Sequence, residues 1–342
     1  MSKKLSEFLF SFGFIIAGVV LLFVGTISFS SIKFKSLVVV SLPTSHERVE
    51  AKEGGDITAT SLPVSRPAVP LPKDNSSYTG TITAITALVV DDKSNTVLYK
   101  KSIEEVRSLA SITKLMSALV LVDLPIDWTT TTIILEDDAD SSSHHVNVGE
   151  EFTLEDLWHV ALIGSSNSAI KSLVRASGLS EEEFVARMNK KAVDIDFSLR
   201  FVEPTGLEGG NMGSSLAVAR LLKEALKVEK IYRTLQIGEY YARPLNQDKP
   251  RRVWSTDWLL TSWIPSIFTP EQIVGKTGYI IESGYNFTVR LSDGHGHVVR
   301  VAILGSGSNE SRFSEARDLA LWAFDNYLWP DDEGYDKLVE SP

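Results

Sequence analysis

Ser111-Ile112-Thr113-Lys114 sets a hydroxyl and an amine three positions apart. On a helix those positions share a face, so the two groups can meet. A serine hydroxyl becomes a nucleophile beside a base, and a lysine is a base only when its pKa falls. Burial and a second cation nearby both lower it. A helix start also presents backbone N–H groups to a developing oxyanion. Taken alone, the tetrapeptide is far more often a helix cap followed by a surface lysine.

Two further groups carry related chemistry. Ser165-Ser166-Asn167 follows Gly164, and its hydroxyl and amide could relay a proton and hold a substrate carbonyl. The plainer reading is a polar loop in which Asn167 or Ser168 caps the next helix. Lys276-Thr277-Gly278 follows Ile273 and Val274, which read as a strand. Gly278 interrupts the row of side chains, so a second backbone can lie close along that strand. Lys276 brings a positive charge and Thr277 a hydroxyl, a pair suited to a carboxylate.

These groups need a scaffold. Ile82, Ala84, Thr86, Leu88 and Val90 fall on one face of a candidate strand, and Thr96 to Lys100 returns as a second after the turn residues Asp91 to Asn95. Ile112 to Val122 reads as an apolar helix. Thr153 to Ile163 opens with a cap and an acidic first turn. Further helices fit 168–176, 180–193 and 214–227. Strands return at Gln272–Tyr279, Tyr285–Leu291 and Val298–Gly305, and a helix at 311–327 closes the unit. Strands at both ends with helices between predict an α+β fold. One antiparallel sheet, built from both ends of the domain, packs against the helical region.

Composition narrows the classes. The net charge is -10 and no basic block appears, so nucleic acid is set aside as a partner. The chain has no cysteine, which excludes disulfides, thiolate metal sites and a cysteine nucleophile. Residues 1–7 read as a short cytoplasmic segment. The stretch Phe8 to Ile32 carries no charge and is long enough for one membrane span, which needs about 20 residues; a signal peptide's apolar region is shorter. Lys3 and Lys4 before it and Lys33 and Lys35 after it nearly balance, so charge does not orient it. The expectation is a single-pass anchor with the folded unit outside the cytoplasm. Residues 33–77 hold five of the 13 prolines among polar residues and read as an extended spacer. The folded unit is expected at 78–330, with a loose tail at 331–342.

The order Ser-x-x-Lys, Ser-x-Asn, Lys-Thr-Gly resembles the signature of the penicillin-binding protein and serine β-lactamase superfamily. The surroundings Ala110 to Leu119, Gly149-Glu150, Pro204-Thr205-Gly206-Leu207 and Gly275-Lys276-Thr277-Gly278-Tyr279 are similar to those of D-alanyl-D-alanine carboxypeptidases, serine peptidase family S11. The similarity covers about 80–327. It implies a β-lactamase/transpeptidase-like fold and a serine-type carboxypeptidase acting on peptidoglycan stem peptides. It implies that Ser111 forms the acyl-enzyme and that Lys114 takes its proton. Ser165 and Asn167 would pass protons and position the peptide. Lys276 would set the electrostatics, and Thr277, Gly278 and Tyr279 would bind substrate. The N–H groups of Ser111 and Tyr279 would make the oxyanion hole. β-Lactam antibiotics become covalent inhibitors, and neither metal nor cofactor is required. Two mutually repelling lysines would leave Lys114 neutral and Lys276 charged.

Departures open alternatives. Ser168 stands where the family often has Asp, and the folded unit is expected to end at its closing helix, without the extra C-terminal β domain of many carboxypeptidases. Related endopeptidases that cut cross-links share this short form. A class A β-lactamase needs a water-activating glutamate. Glu203 is placed for that, but Leu207 stands where an asparagine should follow. A wall-binding protein that keeps the fold without chemistry is a further class. His144-His145 and His295-Gly296-His297 invite a metal, but they read as a polar segment and a hairpin turn. Trp254, Trp258 and Trp263 read as packing rather than groove, and Lys249 to Arg252 as a solvated loop.

Overall fold

The computed structural model describes residues 68–73, 77–140 and 145–340. The uncharged stretch 8–32, the segment before it, most of the spacer and His144 lie outside these residues. Among the described residues no helix is long and apolar enough to cross a membrane.

A five-stranded antiparallel sheet is drawn from both ends of the chain. Its strands are β1 (Thr86–Asp91), β2 (Val97–Lys101), β3 (Ile273–Ile280), β4 (Gly284–Ser292) and β5 (Val298–Ser306), in the order β3-β4-β5-β1-β2. All six residues of β1 are buried. The sequence assigns one apolar face to this strand, but both faces are covered. Leu88 and Val90 join a core with the central helices, while Ala87 and Val89 join a second core on the opposite face. Small and β-branched residues at successive positions are what a doubly covered strand requires.

The helical region packs on the first face. It contains α1 (Lys114–Val122), α2 (Leu154–Ile163), α3 (Asn167–Ala176), α4 (Glu181–Ile195), α5 (Ser215–Leu226) and α6 (Glu229–Leu235). Lys114 through Leu121 of α1 are all buried, as expected of a helix apolar on every side. Thr153 caps α2 by accepting from Asp156 N. Ser166, rather than Asn167 or Ser168, caps α3 by accepting from Ala169 N, which leaves Asn167 as the first helical residue. Helix α6 is too short to show a period in the sequence.

The closing helix α7 (Asn309–Asn326) covers the second face. Its Phe313 is fully buried between Phe287 of β4, 4.8 Å away, and Trp258, 5.7 Å away. The C-terminal segment is not loose. Tyr327–Leu328 pairs with Leu71–Pro72, and helix α8 (Tyr335–Glu340) follows. The Tyr335 hydroxyl donates to Val69 O at 2.8 Å, and the Trp329 indole donates to Asp91 Oδ1 at 2.8 Å. His297 stacks on Trp329, with Asp293 2.7 Å from one ring nitrogen and Asp332 3.0 Å from the other. The hairpin histidine thus helps hold the C-terminal segment to the sheet.

Phe313→Ala should lower stability by about 3–5 kcal/mol, the range for emptying a large core site. Denaturant unfolding checks this, and a loss under about 1 kcal/mol contradicts the packing described.

Candidate active site

A 3-10 turn over Ala110–Thr113 precedes α1 and carries Ser111. In 3-10 geometry positions i and i+3 eclipse, so Ser111 and Lys114 are brought onto one line. Ala110 enters this turn at φ 48°, a strained conformation for a side-chain-bearing residue. Gly206 is held against it, at φ +86°, and a Cβ there would lie 1.9 Å from Ala110 O. Only glycine fits that close approach. Residues 203–207, the turn Glu-Pro-Thr-Gly-Leu, therefore back the nucleophile turn directly.

Lys114 is completely buried. Its Nζ lies 2.9 Å from Ser111 Oγ, 2.5 Å from Asn167 Oδ1 and 2.7 Å from Thr205 O. The Asn167 amide donates to Asp140 Oδ2 at 2.5 Å. A carboxylate only accepts, so Asp140 turns the oxygen of Asn167 toward Lys114. A neutral amine has two N–H bonds and one lone pair. The two carbonyl oxygens take both N–H bonds, and the lone pair is left for the Ser111 hydroxyl proton. Burial pushes Lys114 down to about 7, while Glu203 and Asp140 oppose the fall.

The second lysine faces the first across the cleft. Lys276 Nζ donates to Ser165 Oγ at 2.8 Å and to Thr277 O at 3.1 Å. Ser165 takes φ 59° as the chain leaves α2, which aims its hydroxyl into the cleft between helix and sheet. Burial, Lys114 and Arg312 push Lys276 well below the usual lysine range, and Asp257 opposes them. Depression is thus shared by both lysines and is not confined to Lys114, as the sequence suggests. Burial acts on each amine, and each cation raises the cost of the other.

Strand β3 is the edge of the sheet beside the 3-10 turn. A Cβ on Gly278 would lie 2.6 Å from Leu109 O and 3.2 Å from Ser111 N, so this glycine lets the strand reach the nucleophile turn. Thr277 and Thr256 hydroxyls lie 2.6 Å apart. Tyr279 is half-exposed and stacks on Tyr285 at 4.4 Å. Ser111, Ser165, Asn167, Thr277, Gly278 and Tyr279 line one open cleft of about 590 Å³. Lys114 and Lys276 reach it from beneath through Ser111 and Ser165.

Thr205, in the Pro-Thr-Gly-Leu run noted in the sequence, acts on Lys114. Three further residues escape sequence reasoning: Asp140 acts on Asn167, while Thr256 and Arg312 line the cleft. Arg312 donates from Nη1 to Gly278 O at 3.0 Å and to Asn286 O at 3.2 Å. Burial lowers it to about 10, with Asp257 opposing, so it is a cation at neutral pH. No local pattern marks these residues, because each acts only through tertiary contact.

The competing residues are engaged elsewhere. The Glu203 carboxylate accepts from Thr205 N, Thr205 Oγ1, Gly206 N and Asn211 Nδ2. It fixes the turn behind Lys114 rather than presenting a base to the cleft. None of the three tryptophans lines the cleft. Arg251 and Arg252 lie in a strand, Arg251–Trp254, rather than a solvated loop, and Arg251 clamps both oxygens of buried Glu150.

Comparison with known proteins places this geometry. Residues 73–307 match the family model for D-alanyl-D-alanine carboxypeptidases. A D-alanyl-D-alanine carboxypeptidase, DacF, of Bacillus subtilis is 30% identical over 255 residues, 71% of this chain and 63% of that one. This chain therefore spans less than two thirds of that relative. A D-alanyl-D-alanine endopeptidase of Pseudomonas aeruginosa is 28% identical over 259 residues, 75% of this chain and 82% of that one. The fold matches the DD-transpeptidase of Streptomyces K15 with a TM-score of 0.65 at 21% identity, covering 73% of this chain and 100% of that one. It also matches penicillin-binding protein D2 of Listeria monocytogenes in its ampicillin-bound form, with a TM-score of 0.63 at 23% identity and coverage of 72% and 100%. The chain belongs to the D-alanyl-D-alanine carboxypeptidase family.

Proposed function

We propose that the protein is a serine D,D-peptidase that cuts D-alanyl peptide bonds in peptidoglycan stem peptides through an acyl-enzyme on Ser111. One observation carries this reading: the buried Lys114 Nζ lies within hydrogen-bond distance of two carbonyl oxygens and of Ser111 Oγ, so that a neutral amine there would direct its lone pair at Ser111. That is the arrangement of a general base beside a nucleophile.

The steps follow from the positions. A stem peptide lies along the free edge of β3, which offers backbone groups to an added strand. Its terminal carboxylate meets Thr277 and the charge of Lys276 and Arg312. That anion compensates Lys276 and holds its proton there. The resulting cation keeps Lys114 neutral. Ser111 Oγ attacks the carbonyl carbon of the scissile bond, and its proton passes to Lys114. The N–H groups of Ser111 and Tyr279 stabilise the oxyanion. The C–N bond breaks as the leaving amine takes, through Ser165, the proton that Lys114 accepted, which leaves Lys114 neutral again. Water then attacks the ester and its proton passes to Lys114. The ester C–O bond breaks as that proton returns to Ser111 Oγ, which frees Ser111 and the product acid.

The carboxypeptidase reading removes the terminal D-alanine. A second reading is a D,D-endopeptidase that cuts cross-links, supported by the similarity to the Pseudomonas endopeptidase. β-Lactams, which carry a carboxylate beside a strained amide, would acylate Ser111 by the same steps. The uncharged stretch Phe8 to Ile32 would anchor the catalytic unit on the outer side of the cell membrane, a role supported by its length.

Ser111→Ala should abolish covalent labelling by a fluorescent penicillin; retained labelling removes Ser111 from the role. Product masses from a pentapeptide and from a cross-linked dimer decide the scissile bond. Released D-alanine from the first supports the carboxypeptidase, and separated monomers from the second support the endopeptidase. Only neutral Lys114 accepts the serine proton, and its value is about 7. The second-order acylation rate should therefore rise with pH, about tenfold per unit well below that value, and level off above it. A rate flat between pH 5 and 8 contradicts this base. Gly278→Ala forces β3 away from Leu109 O and should slow acylation on the order of 100-fold, the scale set by displacements of about 1 Å. An unchanged rate would show that the close approach is dispensable.

A further inference from the structure

Asp257 lies behind β3 and is 2% exposed. Its Oδ1 accepts from Leu259 N at 3.0 Å and Leu260 N at 3.3 Å, closing a turn. Its Oδ2 makes no hydrogen bond with a described residue, nor does Nε of Arg312. That free oxygen points at the Lys-Thr-Gly strand: a Cβ on Gly275 would lie 3.0 Å from it. The residue next along the strand is Lys276. A buried carboxylate with one oxygen unpaired is costly, and a turn needs only the other oxygen. The second oxygen therefore calls for another role.

The charges around it indicate that role. Asp257 faces Lys276 from β3 and Arg312 from α7. Lys276 also faces Lys114 from α1, and Arg312 faces Tyr285 from β4 and Glu310 from its own helix. Lys276 has two cations near it and Asp257 as its opposing negative charge. Burial raises Asp257 to about 6, against the turn N–H groups, Arg312 and Lys276, so it is an anion at neutral and alkaline pH.

We propose that Asp257 is a positioning residue acting through its charge, holding the proton on Lys276 from behind the strand and so setting the alkaline limit of acylation. The inference rests on the acyl-enzyme reading of Ser111. The sign follows directly. Removing the negative charge makes the Lys276 proton easier to lose. The cleft then loses its carboxylate-binding cation at a lower pH. Below about pH 6 wild-type Asp257 is itself becoming neutral, so wild type and a neutral variant converge there.

The test measures the second-order rate of acylation by benzylpenicillin between pH 5 and 10, using the full chain in detergent micelles. Wild type is compared with Asp257→Asn, whose side-chain oxygen still closes the turn without the charge. The expected result is an alkaline limb moved down by about one unit, the lower end of the usual effect of a nearby opposite charge. Rates should agree within about twofold at pH 6 and diverge by up to about tenfold on the alkaline limb. Asp257→Ser, which keeps a shorter cap oxygen, should move the limb the same way, and serves if Asn does not fold. An alkaline limb that coincides with wild type, or a loss uniform across pH, overturns the proposal and leaves Asp257 a turn residue. Wild type that acquires no penicilloyl mass on Ser111 overturns the acyl-enzyme reading itself.

Discussion

Two lysine amines buried in one cleft cannot both keep their charge at ordinary cost. Lys114 sits beneath Ser111 and Lys276 beneath Ser165, and both are depressed by burial. Much of the surrounding structure serves to divide their protons. On one side Asn167 and Thr205 present carbonyl oxygens that occupy the N–H bonds of a neutral amine. On the other, Thr277 and Arg312 line the cleft beside Lys276. In the proposed reaction a substrate carboxylate would bind there and favour a charged Lys276, which would tie its recognition to activation of Ser111.

The fold makes this division possible by bringing three distant segments together in strained or glycine-dependent backbone. Ala110 and Ser165 both adopt positive φ, one beside Ser111 and one against Lys276. Gly206 and Gly278 approach the nucleophile turn from two sides, at distances that exclude a side chain. Such strain persists only where surrounding packing fixes it. The two hydrophobic cores on either face of the sheet supply that packing, with β3 held between them.

The sequence revealed the parts whose signal is local. The three motifs were readable because each sets chemically distinct residues at fixed offsets, two at helix starts and one within β3, and the sheet strands were readable from β-branched runs ended by turn residues. The cap of α3 was misplaced by one or two positions, since Ser166, Asn167 and Ser168 are all good caps and only packing selects one. The C-terminal segment was read as loose because its composition is polar. Its order comes from contacts with Val69, Asp91 and His297, far away in sequence. Asp140, Arg312 and Asp257 were invisible for the same reason. Glu203 invited a water-activating role by its position alone, and its four hydrogen bonds within and beside its own turn show why it does not present a base to the cleft.

The central claim is that Lys114 is uncharged when Ser111 reacts, and its protonation state can be read directly. Lysine labelled with carbon-13 at Cε reports the charge on each amine by NMR, and Lys114→Arg identifies the resonance. The account predicts one lysine signal that titrates near 7 and belongs to Lys114. A Lys114 signal that stays in the charged form up to about pH 10, the ordinary lysine range, would contradict it.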